Sequence, residues 1–531
     1  MSGRASSAVG FMTIAGGLAA VVATTADRPL YHADLWGHLA YGRFLWHHGG
    51  LPATEPLMPL STEPFVNFAW GAQVLGYLLY AAAGPEGVRL LGGVLTGLTV
   101  ALVGTAAARR GGGVTGGIVG AGLFLAGAWA TLFAAAPWVQ PWGPQMVRPQ
   151  SAGVLLFCLI AAATPAPRRP GWRWWGLPAA FLLWANLHGG WPLGLAWLGR
   201  STGDDAWKRL SRGGVRAVVR SRRVRAGAAV TGLCGLACCG NPRGPGAFAD
   251  VLAFARHPNL ADVVEWQPLT LARPQGRVFL GVAAVLAVLL WRSPRRVRVS
   301  EAVMLLGFGA AAWGLAGRWT VWWAVAAAVS GGSRVRGFRS ITPRRPRAAV
   351  AAGLAAGALL STPAWRLAGG VTAGRGCLAA GTAVHAARAV RAAGVRGLVL
   401  NDHAFGDYLL WAVPSARPVL ASHAHLIPPD VWRSAFVTLA AGPGWSRTLD
   451  RWGVRVLLLA PSRQPDLIAA ADASPEWRRV YEDDLAVLFM RRRAGPRPPA
   501  GRPPTGGAAA APASATPGPA PAWGPAGRSR R

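Results

Sequence analysis

A chain of 531 residues has room for two or three soluble domains, but 52% of this one is hydrophobic and only 14% is charged. The apolar residues are gathered into runs, which excludes a purely soluble protein and predicts a polytopic membrane protein. The formal charge of +34 would suit a nucleic-acid binder, yet Lys208 is the only lysine and no basic face is interleaved with aromatics; much of the positive charge falls in short loops between apolar runs, as the positive-inside bias requires, and no nucleic-acid partner is expected.

The first apolar run, 9–26, is long for a signal-peptide core, and Thr24-Thr25-Ala26 is a weak cleavage triplet, so a retained span is expected. The polar loop that follows contains Tyr31-His32-Ala33-Asp34-Leu35-Trp36-Gly37-His38-Leu39-Ala40-Tyr41. Read as a helix, it puts Asp34, His38 and Tyr41 on one face at i, i+4 and i+7. Leu35, Trp36, Leu39, Phe44, Leu45 and Trp46 make the remaining surface apolar, which predicts an interfacial helix over 33–48 with its polar residues turned toward a cavity.

The next run, 65–83, approaches spanning length but carries Asn67, Trp70 and Gln73. Charge decides its role. If every apolar run crossed once, Arg109-Arg110 and the arginines of 168–173 would face outward. If 65–83 lies along the outer surface and 174–198 is a hairpin turning at 186–190, then the basic stretches 109–110, 168–173, 200–225, 292–298 and 334–347 all face the cytoplasm. The other predicted spans are 88–107, 114–136, 151–164, 226–239, 278–291, 299–316, 320–329 and 348–360. This gives about eleven crossings and an outer C-terminal part. Cys158, Cys234, Cys238 and Cys239 lie within the apolar runs and read as packing residues.

From Val395 onward the pattern changes. Strands are predicted at 397–401, 419–422, 454–459 and 485–490, with helices at 405–411, 429–440 and 446–452, an alternation that points to a small α/β domain. The Pro, Gly, Ala and Arg of 493–531 offer little to bury and predict a disordered tail. The expected organisation is a transmembrane domain over 1–370, an extracytoplasmic α/β domain over 371–492, and the tail.

On this topology the outer face collects the rare polar residues. Asp34 reads as a general base, a metal ligand or a helix cap; apolar neighbours would raise its pKa toward the working range. His38 reads as orienting it, joining a metal or merely satisfying an interface, the last being the default for a lone histidine. Arg148-Pro149-Gln150 precedes a span, and an arginine there suits a lipid phosphate or snorkels to headgroups. Arg318, between two spans, has the same two readings. Asn186 and His188 sit in the hairpin turn, where polar groups need partners or a task; Glu265 belongs to the same outer face. His32, His47 and His48 lack a defined ligand spacing, so no cofactor is specified, although a divalent metal at the aspartate stays open. Asp402, His403, Asp407, His423 and His425 read as loop caps and surface residues before they read as a ligand set.

Asp34-Leu35-Trp36-Gly37-His38-Leu39, the Pro-rich stretch 51–64, Arg148-Pro149-Gln150, Trp184-Ala185-Asn186-Leu187-His188-Gly189, Asn241-Pro242-Arg243-Gly244 and Glu265-Trp266 occur in an order that resembles bacterial polytopic proteins related to the GT-C glycosyltransferases. Asn401-Asp402-His403-Ala404-Phe405-Gly406-Asp407-Tyr408-Leu409-Leu410-Trp411 and Tyr481-Glu482-Asp483-Asp484-Leu485-Ala486-Val487 resemble the soluble domain of the same group. The resemblance implies a GT-C-like polytopic helical fold of about eleven transmembrane helices, with juxtamembrane helices at 33–48 and 65–83. It also implies a catalytic aspartate at Asp34 and transfer, with inversion, of a sugar from a polyprenyl-phosphate donor to an envelope acceptor. His38, Arg148, Gln150, Asn186, His188, Glu265 and Arg318 would contact substrate, and the partners would be that donor and membrane lipids. Two features depart from the pattern: no second acid adjoins Asp34, and Gly37 stands where related chains often carry an aromatic. The alternative is a non-catalytic membrane protein that moves a lipid-linked glycan or scaffolds envelope proteins.

Overall fold

The computed structural model describes residues 3–31, 34–133, 147–164, 176–335, 343–374 and 376–492. The arginine loop 168–173, most of the loop 138–150 and the expected disordered tail lie outside the described residues. Helix α1, Gly3–Ala26, is apolar and 24 residues long, about 36 Å at 1.5 Å per residue and enough to span a bilayer. Helix α2, Asp34–His48, opens on Asp34 and ends on His47 and His48, so its terminal side chains complement the helix dipole.

Helix α3, Trp70–Ala107, is broken at Gly84, whose φ of 60 is left-handed. A side chain there would stand 2.6 Å from the Thr372 carbonyl, so glycine permits both the turn and the close approach, and Pro85 starts the second limb. Residues 70–83 therefore form a separate helix packed against α2, and 85–107 enter the bundle. The expected start at Phe65 is corrected to Trp70. Asn67 Oδ1 accepts from the Ala69 amide at 2.9 Å, a local turn that holds the chain out of helix until that point.

The bundle continues with α4 (Gly113–Phe133), α5 (Pro149–Ala163), α6 (Gly176–Leu187), α7 (Trp191–Arg220), α8 (Arg222–Cys238), α9 (Gly246–Ala255), α10 (Pro274–Arg292), α11 (Val299–Gly314), α12 (Thr320–Gly332), α13 (Pro346–Leu360) and α14 (Thr362–Ala368). Helices α6 and α7 form the expected hairpin, turning at residues 188–190. Helix α7 runs on through the basic stretch that was expected as a loop, broken only at Gly213-Gly214. Helix α12 is buried all round, which makes it the centre of the bundle.

By length and composition, Ser7–Ala26, Trp70–Ala128 and Pro274–Arg292 are suited to crossing a membrane, joined by Pro346–Leu360 plus Thr362–Ala368, bent by 67°, if that pair is one span. Among the described residues the other apolar helices, α5, α6, α9 and α11, have 10–17 residues. The sequence reading of eleven crossings counted runs; most of these helices fall short of the roughly 20 residues a full crossing takes. The protein is a helical membrane protein with a small C-terminal sheet domain.

That domain contains α15 (Val384–Ala392), β1 (Gly397–Asn401), α16 (His403–Ala412), β2 (Ala416–Pro418), α17 (Pro429–Leu439), α18 (Trp445–Trp452), β3 (Val456–Leu459), α19 (Pro465–Ala473), β4 (Trp477–Glu482) and β5 (Val487–Arg491). The order is β2-β1-β3-β5-β4, with β2, β1 and β3 parallel and β5 antiparallel to both β3 and β4. Ala386, Val390, Phe405 and Leu409 pack on one face, and Trp432, Leu439, Leu449 and Leu467 on the other. The strand expected over 419–422 instead leaves the sheet at Pro418, because the Asn401 side chain accepts from the Val419 and Leu420 amides. This detour carries residues 422–426 away from the sheet and onto the membrane domain.

Candidate active site

The N-termini of α2 and α5 meet at a chain of alternating charges. Arg148, the cap of α5 with Pro149 in its first turn, donates through Nη1 to Asp34 Oδ2 at 3.0 Å and through Nη2 to Glu265 Oε2 at 2.8 Å. Arg318, in the tight turn before α12, lies 3.7 Å from Glu265 Oε1 and 4.2 Å over the Trp266 ring. Side-chain exposures of 8% for Arg148, 15% for Asp34 and 18% for Glu265 and Arg318 put these pairs largely out of water, where charge-assisted hydrogen bonds are strong. The second acid that the sequence lacks beside Asp34 is present in space as Glu265.

These four side chains border a cavity of about 590 Å³. His38, Gln150 and His188 also line it, so of the eight residues singled out from sequence only Asn186 stands apart. Asn186 accepts from Trp70 Nε1 at 2.8 Å and donates to the Leu182 and Gly240 carbonyls; it ties α3, α6 and the turn after α8 together. The expectation that Asn186 lines the cavity is corrected accordingly: its side chain is spent on helix-to-helix bonds. His188 Nδ1 accepts from the Gly190 amide at 3.0 Å, which fixes the ring orientation at the hairpin turn.

The sequence reading missed the contribution of the C-terminal domain. His423 and His425 line the same cavity, with the His423 ring 4.8 Å from His38 and 4.5 Å from Tyr41. Gln73 Nε2 donates to His38 Nδ1 at 3.0 Å and lies 3.5 Å from His423 Nε2. Burial, followed by the neighbouring His38, holds His423 well below the usual imidazole range. Burial, followed by His257, lowers His425 to about 3. Both are neutral at physiological pH, and a neutral imidazole has one donor and one acceptor, a match for hydroxyl groups. Their reading as surface residues fails because Asn259 Nδ2 clamps the Ala424 and Ile427 carbonyls at 2.9 and 2.8 Å and Ser61 donates to the Leu426 carbonyl.

The other residues of the proposed C-terminal set disperse. Asp402 accepts from the Ala404 amide as a helix cap, as expected, and pairs with Arg463 at 2.6 Å. His403 packs on Trp432. Asp407 is fully buried, accepting from the Ser422 amide and hydroxyl at 3.0 and 2.9 Å, and burial raises its pKa to about 7. It lies directly over Gly37, where an added side chain would come within 2.0 Å of Asp407 Oδ1. The glycine in an otherwise aromatic motif is therefore the seat of α16 on α2.

Behind the cavity, Tyr41 donates to Glu55 Oε2 at 2.9 Å, and the Leu57 and Met58 amides donate to Glu55 Oε1. Burial raises Glu55 to about 7 against these bonds. Leu193, Phe248, Val251 and Leu252 give the cavity an apolar flank, and Phe248 and Leu252 are exposed beyond it. Among the described residues no group of three or more His, Cys, Asp or Glu is arranged to hold a metal ion. Arg148 and Arg318 are the cationic donors at this cavity, and Asp34 and Glu265 are the carboxylates that face them.

No family model matches the chain, and no curated protein matches it in sequence. Solved structures do match. The oligosaccharyltransferase of Archaeoglobus fulgidus tethered to an acceptor peptide containing the NVT sequon superposes with a TM-score of 0.51 at 11% identity, over 91% of this chain and 74% of that one. Its apo form gives 0.50 at 11% identity, over 85% and 69%. ArnT from Cupriavidus metallidurans, in a crystal structure bound to undecaprenyl phosphate, gives 0.48 at 14% identity, over 92% and 99%. At such identities the likeness concerns architecture: the chain has a GT-C-like fold, that of the membrane glycosyltransferases.

Proposed function

We propose that the protein is an integral-membrane glycosyltransferase that moves a sugar from a polyprenyl-phosphate donor to an envelope acceptor on the outer face of the cytoplasmic membrane. The observation that carries this reading is the chain Asp34, Arg148, Glu265, Arg318 bordering a cavity whose other walls are neutral imidazoles and an apolar flank. Each part suits one part of such a donor. The isoprenoid lies along Phe248, Val251 and Leu252, the phosphate displaces Glu265 from Arg148 and Arg318, and the sugar hydroxyls meet His38, His188, His423, His425 and Gln150.

In the reaction, the acceptor oxygen attacks the anomeric carbon as its proton passes to the Asp34 carboxylate. The bond from the anomeric carbon to the phosphate oxygen breaks, and polyprenyl phosphate leaves with the electron pair. Arg148 and Arg318 stabilise the charge that develops on that phosphate. With Arg148 drawn to the donor phosphate, its hydrogen bond to Asp34 breaks and the carboxylate is released to accept a proton. The eleven-crossing topology, the cytoplasmic position of the arginine stretches and the outer position of the sheet domain are parts of the same proposal. The convergence of Arg109, Arg110, Arg200, Arg295 and Arg334 at the bundle end away from the sheet domain supports them.

The test is turnover of a polyprenyl-phosphate sugar by purified protein with envelope acceptors. Asp34→Asn is expected to slow product formation by about 10²–10⁴-fold with the folded protein otherwise intact. Unchanged turnover would remove Asp34 from the mechanism. A donor that crosses the bilayer chemically unchanged would replace the enzyme reading with transport.

A further inference from the structure

A second cavity lies at the opposite end of the bundle. Helix α5 starts beside Arg148 at the first cavity and ends at Thr164 in the second, and α12 leads from Trp322 at the first to Arg334 at the second. The 15 residues of α5 place the two about 22 Å apart along the helix. The second cavity has a volume of about 740 Å³. Arginines reach it from four separate parts of the chain: Arg109 and Arg110 after α3, Arg200 on α7, three between residues 295 and 298, and Arg334 after α12.

Among the described residues two carboxylates line it, and both are engaged. Asp204 accepts from the Ser300 amide and hydroxyl at 3.1 and 2.7 Å. Glu301 is gripped by both terminal nitrogens of Arg334 at 2.6 and 2.7 Å. Four other guanidiniums donate to backbone carbonyls, Arg109 to Ala162 and Arg200 to Trp197 at 2.8 and 2.6 Å. Arg110 donates to the Thr164 carbonyl at 2.8 Å, and Arg295 donates to the Arg110 and Ser333 carbonyls at 3.0 and 2.7 Å. Arg110 and Arg200 lie over the Trp197 ring at 5.1 and 3.9 Å.

Carbonyls and an indole orient a guanidinium without cancelling its charge, so the cavity keeps several positive charges in fixed, close positions, an arrangement that is unfavourable without an anion. Buried Arg334 also presents an Nε–H with no partner among the described residues. The positive-inside bias explains why arginines lie at this end. It does not require that four distant segments aim immobilised side chains into one cavity.

We propose that this cavity binds a phosphate-bearing anion carrying two phosphate groups. Planar guanidiniums bind phosphate oxygens in pairs, and a basic pocket between membrane helices suits either a diphosphatidyl headgroup or a soluble diphosphate. The site is separate from the outer cavity, and its occupancy does not depend on the reaction assigned there.

The test uses the full-length protein in detergent and in nanodiscs. Inorganic pyrophosphate, compared with potassium chloride at matched ionic strength, and cardiolipin in phosphatidylcholine nanodiscs, compared with phosphatidylcholine alone, are each scored by melting temperature and by native mass spectrometry of retained ligand. Stabilisation by cardiolipin only identifies a lipid headgroup, and stabilisation by pyrophosphate identifies a soluble anion; both support the site. Arg296→Gln with Arg298→Gln, at exposed positions of the rim, is expected to weaken the bound anion about tenfold or more. No shift with either ligand in the wild type would overturn the proposal, as would equal binding by a normally folded double variant. If that variant does not fold, the wild-type comparison alone decides.

Discussion

Arg148 bridges two carboxylates, and all three side chains are less than a fifth exposed. Replacing it leaves Asp34 and Glu265 without their shared counter-charge, and breaking a buried pair from one side costs about 3–5 kcal/mol. Arg148→Gln should therefore lower the melting temperature in detergent clearly, and Glu265→Gln added to it should recover part of the loss, because the repulsion is removed. Additive losses in the double variant would show that the pairs are not coupled. Glu55 offers a second test. Burial raises its pKa in the folded protein to about 7, from an ordinary value of 4.5, so between those values the folded state holds a proton that the unfolded state has released. Its stabilising contribution is full below the unfolded value and is lost as pH rises through 7. Asp407, raised to about 7 for the same reason, adds to the trend. The neutral buried imidazoles His423 and His425 act in the opposite sense, so the test is a difference: the melting temperature of Glu55→Gln relative to wild type should rise from pH 5 to pH 8, and a difference that falls over that range would contradict the buried placement. At this scale the sequence exposed Asp34, Arg148, Glu265 and Arg318, because charges near apolar runs are rare. It concealed His423 and His425, whose burial depends on Asn259 and Ser61, residues remote in the chain.

Among the elements, α2 is the surface on which everything else is seated. Its polar face turns to the cavity, its N-terminus meets Arg148, and Gly37 receives Asp407 of α16. A larger residue at 37 has no space unless α16 moves, so Gly37→Leu should loosen the sheet domain from the membrane domain. Limited proteolysis is expected to release a fragment beginning near residue 371 from the variant faster than from the wild type; equal protection would refute the seat. The α6–α7 hairpin and a helix after α1 were legible because charge and the spacing of apolar residues constrain each locally. The start of α3 at Trp70 was not, since it rests on a side-chain turn at Asn67. Strand β4 was also missed: Arg478 and Arg479 are exposed on it, and an edge strand with one polar face gives only a weak apolar signal.

At the level of the whole molecule, short apolar helices join two cavities of opposite chemistry, one with paired charges and imidazoles and one dominated by arginine. Impermeant thiol labelling in intact cells should modify a single cysteine at position 266 and spare one at position 296. Labelling of both from the same side would overturn the topology. The GT-C-like architecture could be anticipated from the order of short motifs along the chain. The contribution of the C-terminal domain to the first cavity could not, because it is made by contacts between residues hundreds of positions apart, such as Gln73 with His423. The most direct measurement is a cryo-EM map of the protein with a polyprenyl-phosphate sugar. The account predicts the lipid phosphate between Arg148 and Arg318, with Glu265 displaced and the sugar against His38 and His423. A lipid phosphate held at any other place, with Arg148 still bridging Asp34 and Glu265, would contradict it.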